Sequence, residues 1–378
     1  MPTGQAQKKI AVLIGTRPEA IKLMPVIRAL KRAGSEPATF VTGQHRELLT
    51  PILAELEIVA TKNLDLMEDD QSLILLSSRI LTGMRDLFRS YRPDLVVVQG
   101  DTTTVALGAL ACFYENVTVA HVEAGLRTHD RTNPFPEEMN RKLLACLAAI
   151  HFAPTARARE NLLDEGVPAD SIHVVGNTVI DALFHAREQL VGRLRPDPEI
   201  EKLGTARRDI VLVTGHRRES FGADLTAICA AIRDLASALT DRVEIFYPVH
   251  LNPNVQSVVH ETLSQIPNVR LTQPLPYLRF LELMLHSKLI ITDSGGVQEE
   301  AASLGIPILV TRRTCERLEA VDAGVSELVG PDRERIFKTA YRLLTDDSAY
   351  RARAVPTDSF GDGHAAERIV EILLRNPA

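Results

Sequence analysis

Short runs rich in valine and isoleucine recur along the whole chain, and each is followed by a stretch with apolar residues at helical spacing or by a polar loop. In the first half the runs are Ile10–Ile14, Ala38–Thr42, Leu95–Gln99 and Val117–Val122; in the second they are Ile210–Thr214, Val243–Val249, Leu289–Thr292 and Ile306–Thr311. A strand that is apolar along its length, with no polar alternation, must be covered on both faces, and the intervening helices supply the cover. The alternation predicts an α/β fold with parallel sheets. At 378 residues the chain is longer than one core usually supports. The repeated theme therefore predicts two doubly wound, Rossmann-like domains. Their expected limits are 1–176 and 205–362, joined by 177–204, a segment that runs into the Pro-rich, polar stretch Arg193–Arg208. After the Gly361-Asp362-Gly363 turn comes one more amphipathic helix, 363–376, which the pattern alone lets pack on either domain.

Composition narrows the partners. Lys and Arg total 43 against 49 Asp and Glu, a formal charge of −6 with no block of one sign, which argues against nucleic acid as a partner. Ile10–Ile14, although preceded by Lys8 and Lys9, is too short for a secretory core and lacks a small-residue cleavage site, so it reads as a strand. The longest apolar stretch, Leu143–Ile150, falls far short of the roughly 20 residues that span a bilayer, and no membrane partner is expected. Cys112, Cys146, Cys229 and Cys315 are widely spaced with no CxxC pair, as expected of reduced thiols in a cytoplasmic protein. With no HExxH and no His/Cys cluster, no metal is expected.

In doubly wound sheets ligands bind at the carboxyl ends of the strands. The residues there form a consistent polar set: Gly15 to Glu19, Gly100 to Thr102, His121 to Gly125, Thr214 to Arg218, Pro248 to His250, and Asp293 to Gly296. The segment Asp293-Ser294-Gly295-Gly296 reads as strand end, tight turn and helix start, with glycine amides at the positive end of a helix dipole. That is a phosphate seat, and Glu299 or Glu300 further along suits ribose hydroxyls. Taken alone, Ser294 serves equally well as a plain helix cap. His216, Arg217 and Arg218, with Arg17 and Lys22 in the other domain, place cations at strand ends, a set suited to a diphosphate. Neither GxGxxG after the first strand nor GxxxxGK[ST] is present, which weakens dehydrogenase and nucleotide-triphosphatase readings. Three carboxylates are placed for acid/base work: Asp101, Glu123, and Glu137 at the end of the long loop 125–136. Asp101 before three threonines also suits a helix cap, and Glu137 suits a helix first turn.

These motifs, taken in order, resemble the bacterial non-hydrolysing UDP-N-acetylglucosamine 2-epimerases over nearly the whole chain. The matching segments are GTRPEAIK (15–22), TGQHRE (42–47), GDTTT (100–104), HVEAGLR (121–127), PEEMNR (136–141), GNTVID (176–181), TGHRRESFG (214–222), PVHLNP (248–253) and TDSGGVQEE (292–300). The resemblance implies a glycosyltransferase-B-like fold with the active site in the interdomain cleft and the last helix returning to the first domain. It implies reversible conversion of UDP-GlcNAc to UDP-ManNAc for surface polysaccharide by a cytoplasmic homodimer, with no cofactor. It assigns Asp101, Glu123, Glu137 and His216 to catalysis, and Arg17, Lys22, Leu275, Phe280, Ser294, Gly295, Gly296, Glu300 and Arg317 to substrate binding. Family members are often activated by a second UDP-GlcNAc, and Gln44, Arg46, Arg218 and His250 correspond to that allosteric site. Leu275 and Leu318 depart from the family pattern, which puts Gln in some relatives at the first and usually Pro at the second.

Overall fold

The computed structural model describes residues 8–43, 46–66, 71–192, 208–215 and 221–375, with the side chains of 46–48 excepted. The chain divides into two compact units, residues 1–182 with 361–378, and residues 183–360.

The first unit is built on a parallel sheet of seven strands: β1 (Ile10–Ile14), β2 (Ala38–Val41), β3 (Lys62–Asn63), β4 (Leu95–Gln99), β5 (Thr118–Val122), β6 (Ile150–Ala153) and β7 (Ile172–Val174). Their order is β3-β2-β1-β4-β5-β6-β7, so the winding direction reverses between β1 and β4. Helices connect successive strands: α1 (Arg17–Arg32), α2 (Arg46–Glu55), α3 (Leu73–Ser90), α4 (Thr103–Tyr114), α5 (Glu137–Leu147) and α6 (Ala156–Asp164), with α7 (Thr178–Val191) following β7. Both β1 and β4 are buried at every residue, the outcome the all-apolar runs demand. Leu13, Phe40, Val96 and Val98 pack against Ile80, Met84, Val105 and Cys112 of α3 and α4 to make the core on one face. The apolar stretch Leu143–Ile150 is split: α5 ends at Leu147 and β6 begins at Ile150.

The second unit repeats the design with six parallel strands: β8 (Asp209–Thr214), β9 (Val243–Pro248), β10 (Val269–Thr272), β11 (Ser287–Thr292), β12 (Ile308–Val310) and β13 (Ser326–Leu328). Their order, β10-β9-β8-β11-β12-β13, reverses between β8 and β11. Its helices are α8 (Ala223–Ala238), α9 (Pro253–Leu263), α10 (Tyr277–Leu285), α11 (Gly295–Leu304), α12 (Leu318–Asp322), α13 (Arg333–Thr345) and α14 (Asp347–Arg353). The run expected as a strand from Ile306 pairs only from Ile308. Gly305, at φ +71°, and Ile306 give their N–H groups to the carbonyls of Ala302 and Ala301, which closes α11, and Pro307 has no N–H to give.

The last helix, α15 (Ala365–Arg375), belongs to the first unit and packs on α1. It buries Ala365, Ala366, Ile369, Val370 and Leu373, and its first amides, Ala365 and Ala366, donate to the Asp181 carboxylate at 3.3 and 2.8 Å. Burial raises the Asp181 pKa to about 6, against the pull of those two amides. A carboxyl whose folded pKa lies above its unfolded value, about 3.9, binds its proton more tightly when folded. The stability it lends is complete below the unfolded value and is lost as pH rises through the folded one. Thermal scans between pH 4 and 7 are therefore expected to show the parent losing more melting temperature than Asp181→Asn, which keeps an acceptor and cannot titrate. Parallel curves would remove Asp181 from that balance.

Candidate active site

In the first unit the polar residues gather at the carboxyl ends of β1, β4 and β5, beside the reversal point. Glu123, directly after β5, is 7% exposed and holds φ at +66°, a left-handed conformation that costs a non-glycine residue about 1–3 kcal/mol. Its Oε2 accepts from Lys22 Nζ of α1 and from Gln99 Nε2 at the end of β4. Three adjacent elements thus converge on one buried carboxylate, and two of its partners, Lys22 and Gln99, are buried with it.

Asp101 lies in the turn between β4 and α4. The cap of α4 is its neighbour Thr102, whose hydroxyl accepts from the Val105 N–H at 3.3 Å, so the capping role that Asp101 suits by sequence is filled by the next residue. The Asp101 carboxylate instead receives Nε and Nη2 of Arg141, each at 2.8 Å, and its carbonyl accepts from Asn140 Nδ2 at 2.8 Å. Arg141 also reaches Glu138 at 3.0 Å. Glu138 is fully buried and accepts the N–H groups of Thr128 and His129 at 3.1 and 3.0 Å, which ties the 125–136 loop to α5. Glu137, half-buried, opens α5 in its first turn. His121 Nε2 donates to the Gly100 carbonyl at 2.7 Å; burial lowers its pKa to about 3, so the ring stays neutral and holds the turn before Asp101.

Glu19 joins the same group. It is 2% exposed and accepts from Gly15 N–H at 2.6 Å, Thr16 Oγ1 at 2.9 Å and Thr102 Oγ1 at 2.8 Å. Burial pushes its pKa up to about 7 in spite of these donors. Arg17 begins α1 and is half-buried. Sequence reasoning did not single out Glu19, Gln99, His121, Glu138 or Arg141 individually, though each lies in or beside a quoted motif.

The second unit has a comparable cluster beside its own reversal point. Thr214 and Thr292, at the ends of β8 and β11, join through their hydroxyls at 2.5 Å, and the Ser294 N–H donates to Thr292 Oγ1 at 2.9 Å. Ser294 occupies the cap position of α11, yet its side chain makes no capping hydrogen bond, so the plain-cap reading does not describe it. A Cβ on Gly295 would fall 2.3 Å from Cζ of Arg317, and a Cβ on Gly296 would meet nothing within 4 Å. Glycine at 295 thus lets a guanidinium lie against the amide end of the helix. Arg317 is gripped by Glu299 at 2.7 Å and Glu316 at 2.5 Å, and Glu316 also holds Arg312 at 2.8 Å, all four side chains being buried. Glu300 accepts from Tyr277 Oη at 2.8 Å. Leu275 precedes α10 and Phe280 lies on it, both half-buried. His250 follows β9, its Nδ1 accepting from the Asn252 N–H at 3.1 Å. His216, Arg218 and Gln44 lie outside the described residues, and Arg46 is placed only by its backbone at the start of α2.

The clusters so formed are a helix start with two glycines and a braced arginine in one unit, and ion-paired buried carboxylates in the other. Two Rossmann-like parallel-sheet units of this kind define the glycosyltransferase-B-like class of α/β proteins. Residues 28–374 match the family model described as UDP-N-acetylglucosamine 2-epimerase. The chain is 46% identical over 376 residues to the UDP-N-acetylglucosamine 2-epimerase of Escherichia coli K12, covering 97% of this chain and 99% of that one. It is 48% identical over 370 residues to a probable UDP-N-acetylglucosamine 2-epimerase of Ralstonia solanacearum, with 97% and 98% covered. The crystal structure of the Neisseria meningitidis UDP-GlcNAc 2-epimerase bound to UDP-GlcNAc superposes with a TM-score of 0.92 at 41% identity, covering 97% of this chain and all of that one. The chain belongs to the UDP-N-acetylglucosamine 2-epimerase family.

Proposed function

We propose that this protein interconverts UDP-GlcNAc and UDP-ManNAc without releasing the sugar, by anti elimination of UDP and its re-addition. The C2 proton has no adjoining carbonyl in the ring, so the reaction depends on departure of the diphosphate. A base takes the C2 proton, the C–H electron pair becomes the C1–C2 double bond, and the C1–O bond breaks towards UDP. The resulting 2-acetamidoglucal regains a proton at C2 on the opposite face while the UDP oxygen reattaches at C1. The sequence is redox-neutral and draws on no external oxidant.

The second unit is suited to the leaving group. The Gly295 and Gly296 amides, Arg317 and His216 are assigned to the diphosphate, Glu300 to the ribose, and Leu275 and Phe280 to the uracil. Fixed donors around a developing anion are the largest electrostatic contribution available to such a step. The first unit supplies the carboxylates, with Glu123 or Asp101 moving the C2 proton, Glu137 as a further candidate, Arg17 as a further cation for the diphosphate, and Lys22 as a cation for the substrate. The observation that carries the reading is Glu123, a buried carboxylate in a costly backbone conformation, bonded to Lys22 and Gln99. Its environment is that of a group placed for chemistry, since packing alone would favour an apolar residue there.

The homodimer implied by the resemblance is proposed to use the outer face of α4. That helix contains no charged residue, and it leaves Phe113 and Tyr114 60% and 67% exposed. Activation by a second UDP-GlcNAc through Gln44, Arg46, Arg218 and His250, cytoplasmic location and supply of ManNAc units for surface polysaccharide belong to the same proposal.

The deciding experiment incubates the purified protein with UDP-GlcNAc in deuterated water and follows the sugar by NMR. UDP-ManNAc carrying deuterium at C2 is expected. Free ManNAc with UDP would assign the chain to the hydrolysing branch, and tight binding without turnover would make it a nucleotide-sugar sensor.

A further inference from the structure

We propose that Glu19 is a strut that sets the distance between the two loops at the reversal point of the first sheet, and so positions Asp101 relative to Arg17. The two loops leave adjacent parallel strands, β1 and β4, and carry one candidate group each. Glu19 holds its own loop at both ends of the Gly15-Thr16 step: Oε2 accepts from Gly15 N–H and Oε1 from Thr16 Oγ1. The same Oε1 accepts from Thr102 Oγ1, a residue 83 positions away in sequence and adjacent to Asp101. Thr102 accepts the Val105 N–H at its oxygen, so its own hydroxyl proton is available to point at Glu19.

A first-turn carboxylate that served α1 alone would need only the Gly15 and Thr16 bonds, both local, and would gain by staying in water. Glu19 is instead buried and spends an acceptor on the far loop. Close packing reinforces the connection, because a Cβ on Gly15 would fall 2.6 Å from Oγ1 of Thr104 in the first turn of α4, so glycine lets this loop lie against the helix that the Gly100–Thr102 turn leads into. Asp101 itself is fixed from the other side by Arg141 and Asn140. Glu19 therefore supplies a side-chain bond between the Gly15–Arg17 loop and the Gly100–Thr102 turn. Misplacing a reacting group by as little as about 1 Å costs on the order of a hundredfold in rate, which gives such a strut its consequence.

The kinetic arm of the test rests on the epimerase reading; a second arm does not. Thr102→Val removes the far anchor together with the α4 cap and leaves the Gly15 and Thr16 bonds; Glu19→Gln, which leaves that cap in place, separates the two losses. Thr102→Val is expected to lower kcat for UDP-GlcNAc about tenfold to a hundredfold while KM stays within about threefold, and Thr102→Ser, which keeps both cap and strut, is expected to restore kcat. Glu19→Gln puts an NH2 group towards groups that are all donors and is expected to lower kcat and raise KM together. In the ligand-free protein, Glu19→Gln is expected to quicken amide hydrogen exchange at Gly15 and over residues 100–105 together. A parent that epimerises while Glu19→Gln and Thr102→Val keep kcat within about twofold overturns the strut and leaves the epimerase reading standing. A parent that does not turn over UDP-GlcNAc overturns the epimerase reading, and the exchange arm then decides the strut: unchanged protection overturns it and coupled loss supports it. Should Glu19→Gln fail to fold, Thr102→Asp, which can cap α4 but has no proton to give Glu19, takes its place beside Thr102→Ser in both arms.

Discussion

Glu123→Gln is expected to lower kcat/KM for epimerisation by about 10²- to 10⁴-fold, the range that a positioned acid or base supplies. Gln preserves the shape of the side chain and removes its ability to take the C2 proton. It also removes the negative charge that faces Lys22, whose side chain is 8% exposed, and breaking a buried ion pair from one side costs about 3–5 kcal/mol. Loss of activity in the single variant would therefore mix chemistry with stability. Glu123→Gln combined with Lys22→Met separates them: the double variant is expected to regain most of the melting temperature and none of the activity. Deuterium entry at C2 of UDP-GlcNAc is the direct readout. If it continues in Glu123→Gln within about tenfold of the parent rate, Glu123 is not the proton carrier and the role passes to Asp101 or Glu137. Arg141 holds the Asp101 carboxylate through two donors, Nε and Nη2.

The strand ends that carry the site were legible because parallel strands buried on both faces are apolar throughout and change abruptly to polar residues where they leave the sheet. Ile10–Ile14 and Leu95–Gln99 were placed to the residue for that reason. Edge strands gave no such signal. Lys62–Asn63 is exposed and only two residues long, while Ile172–Val174 and Val269–Thr272 carry polar residues on their open sides, so short runs of mixed character went unread. The brackets around the site were hidden for another reason. Glu137 and Glu138 are adjacent carboxylates at a helix start, and only the packing of α5 decides that Glu138 is the one turned inward to hold Thr128, His129 and Arg141. The cap of α4 shows the same limit at one-residue scale, where Asp101 is the better capping type and the backbone selects Thr102, which leaves the carboxylate for Arg141. Glu19 was invisible as a connection because its partner is contributed by a different strand.

Arg317→Met is expected both to destabilise the second unit and to weaken UDP binding, and the two losses have separable causes. Arg312, Glu316, Arg317 and Glu299 form a buried chain of alternating charge whose formal sum is zero. Removing Arg317 takes a guanidinium from two carboxylates whose side chains are 0% and 1% exposed, and breaking a buried pair in this way costs about 3–5 kcal/mol, readable in urea unfolding. Arg317→Lys recovers little of this, because one ammonium lacks the planar fork that reaches Glu299 through Nε and Glu316 through Nη1 together. Arg317→Met with Glu299→Gln restores the charge balance and is expected to return most of the stability. It does not return the guanidinium that Gly295 admits to the amide end of α11. A charge-assisted hydrogen bond to phosphate is worth about 1.5–3 kcal/mol, so UDP should bind roughly tenfold to a hundredfold more weakly to both the single and the double variant by calorimetry. Parent-like UDP affinity in the stabilised double variant would make Arg317 a brace for the helix start with no part in holding the diphosphate, and would leave that proposed role to the other groups assigned to it, the helix amides and His216 among them.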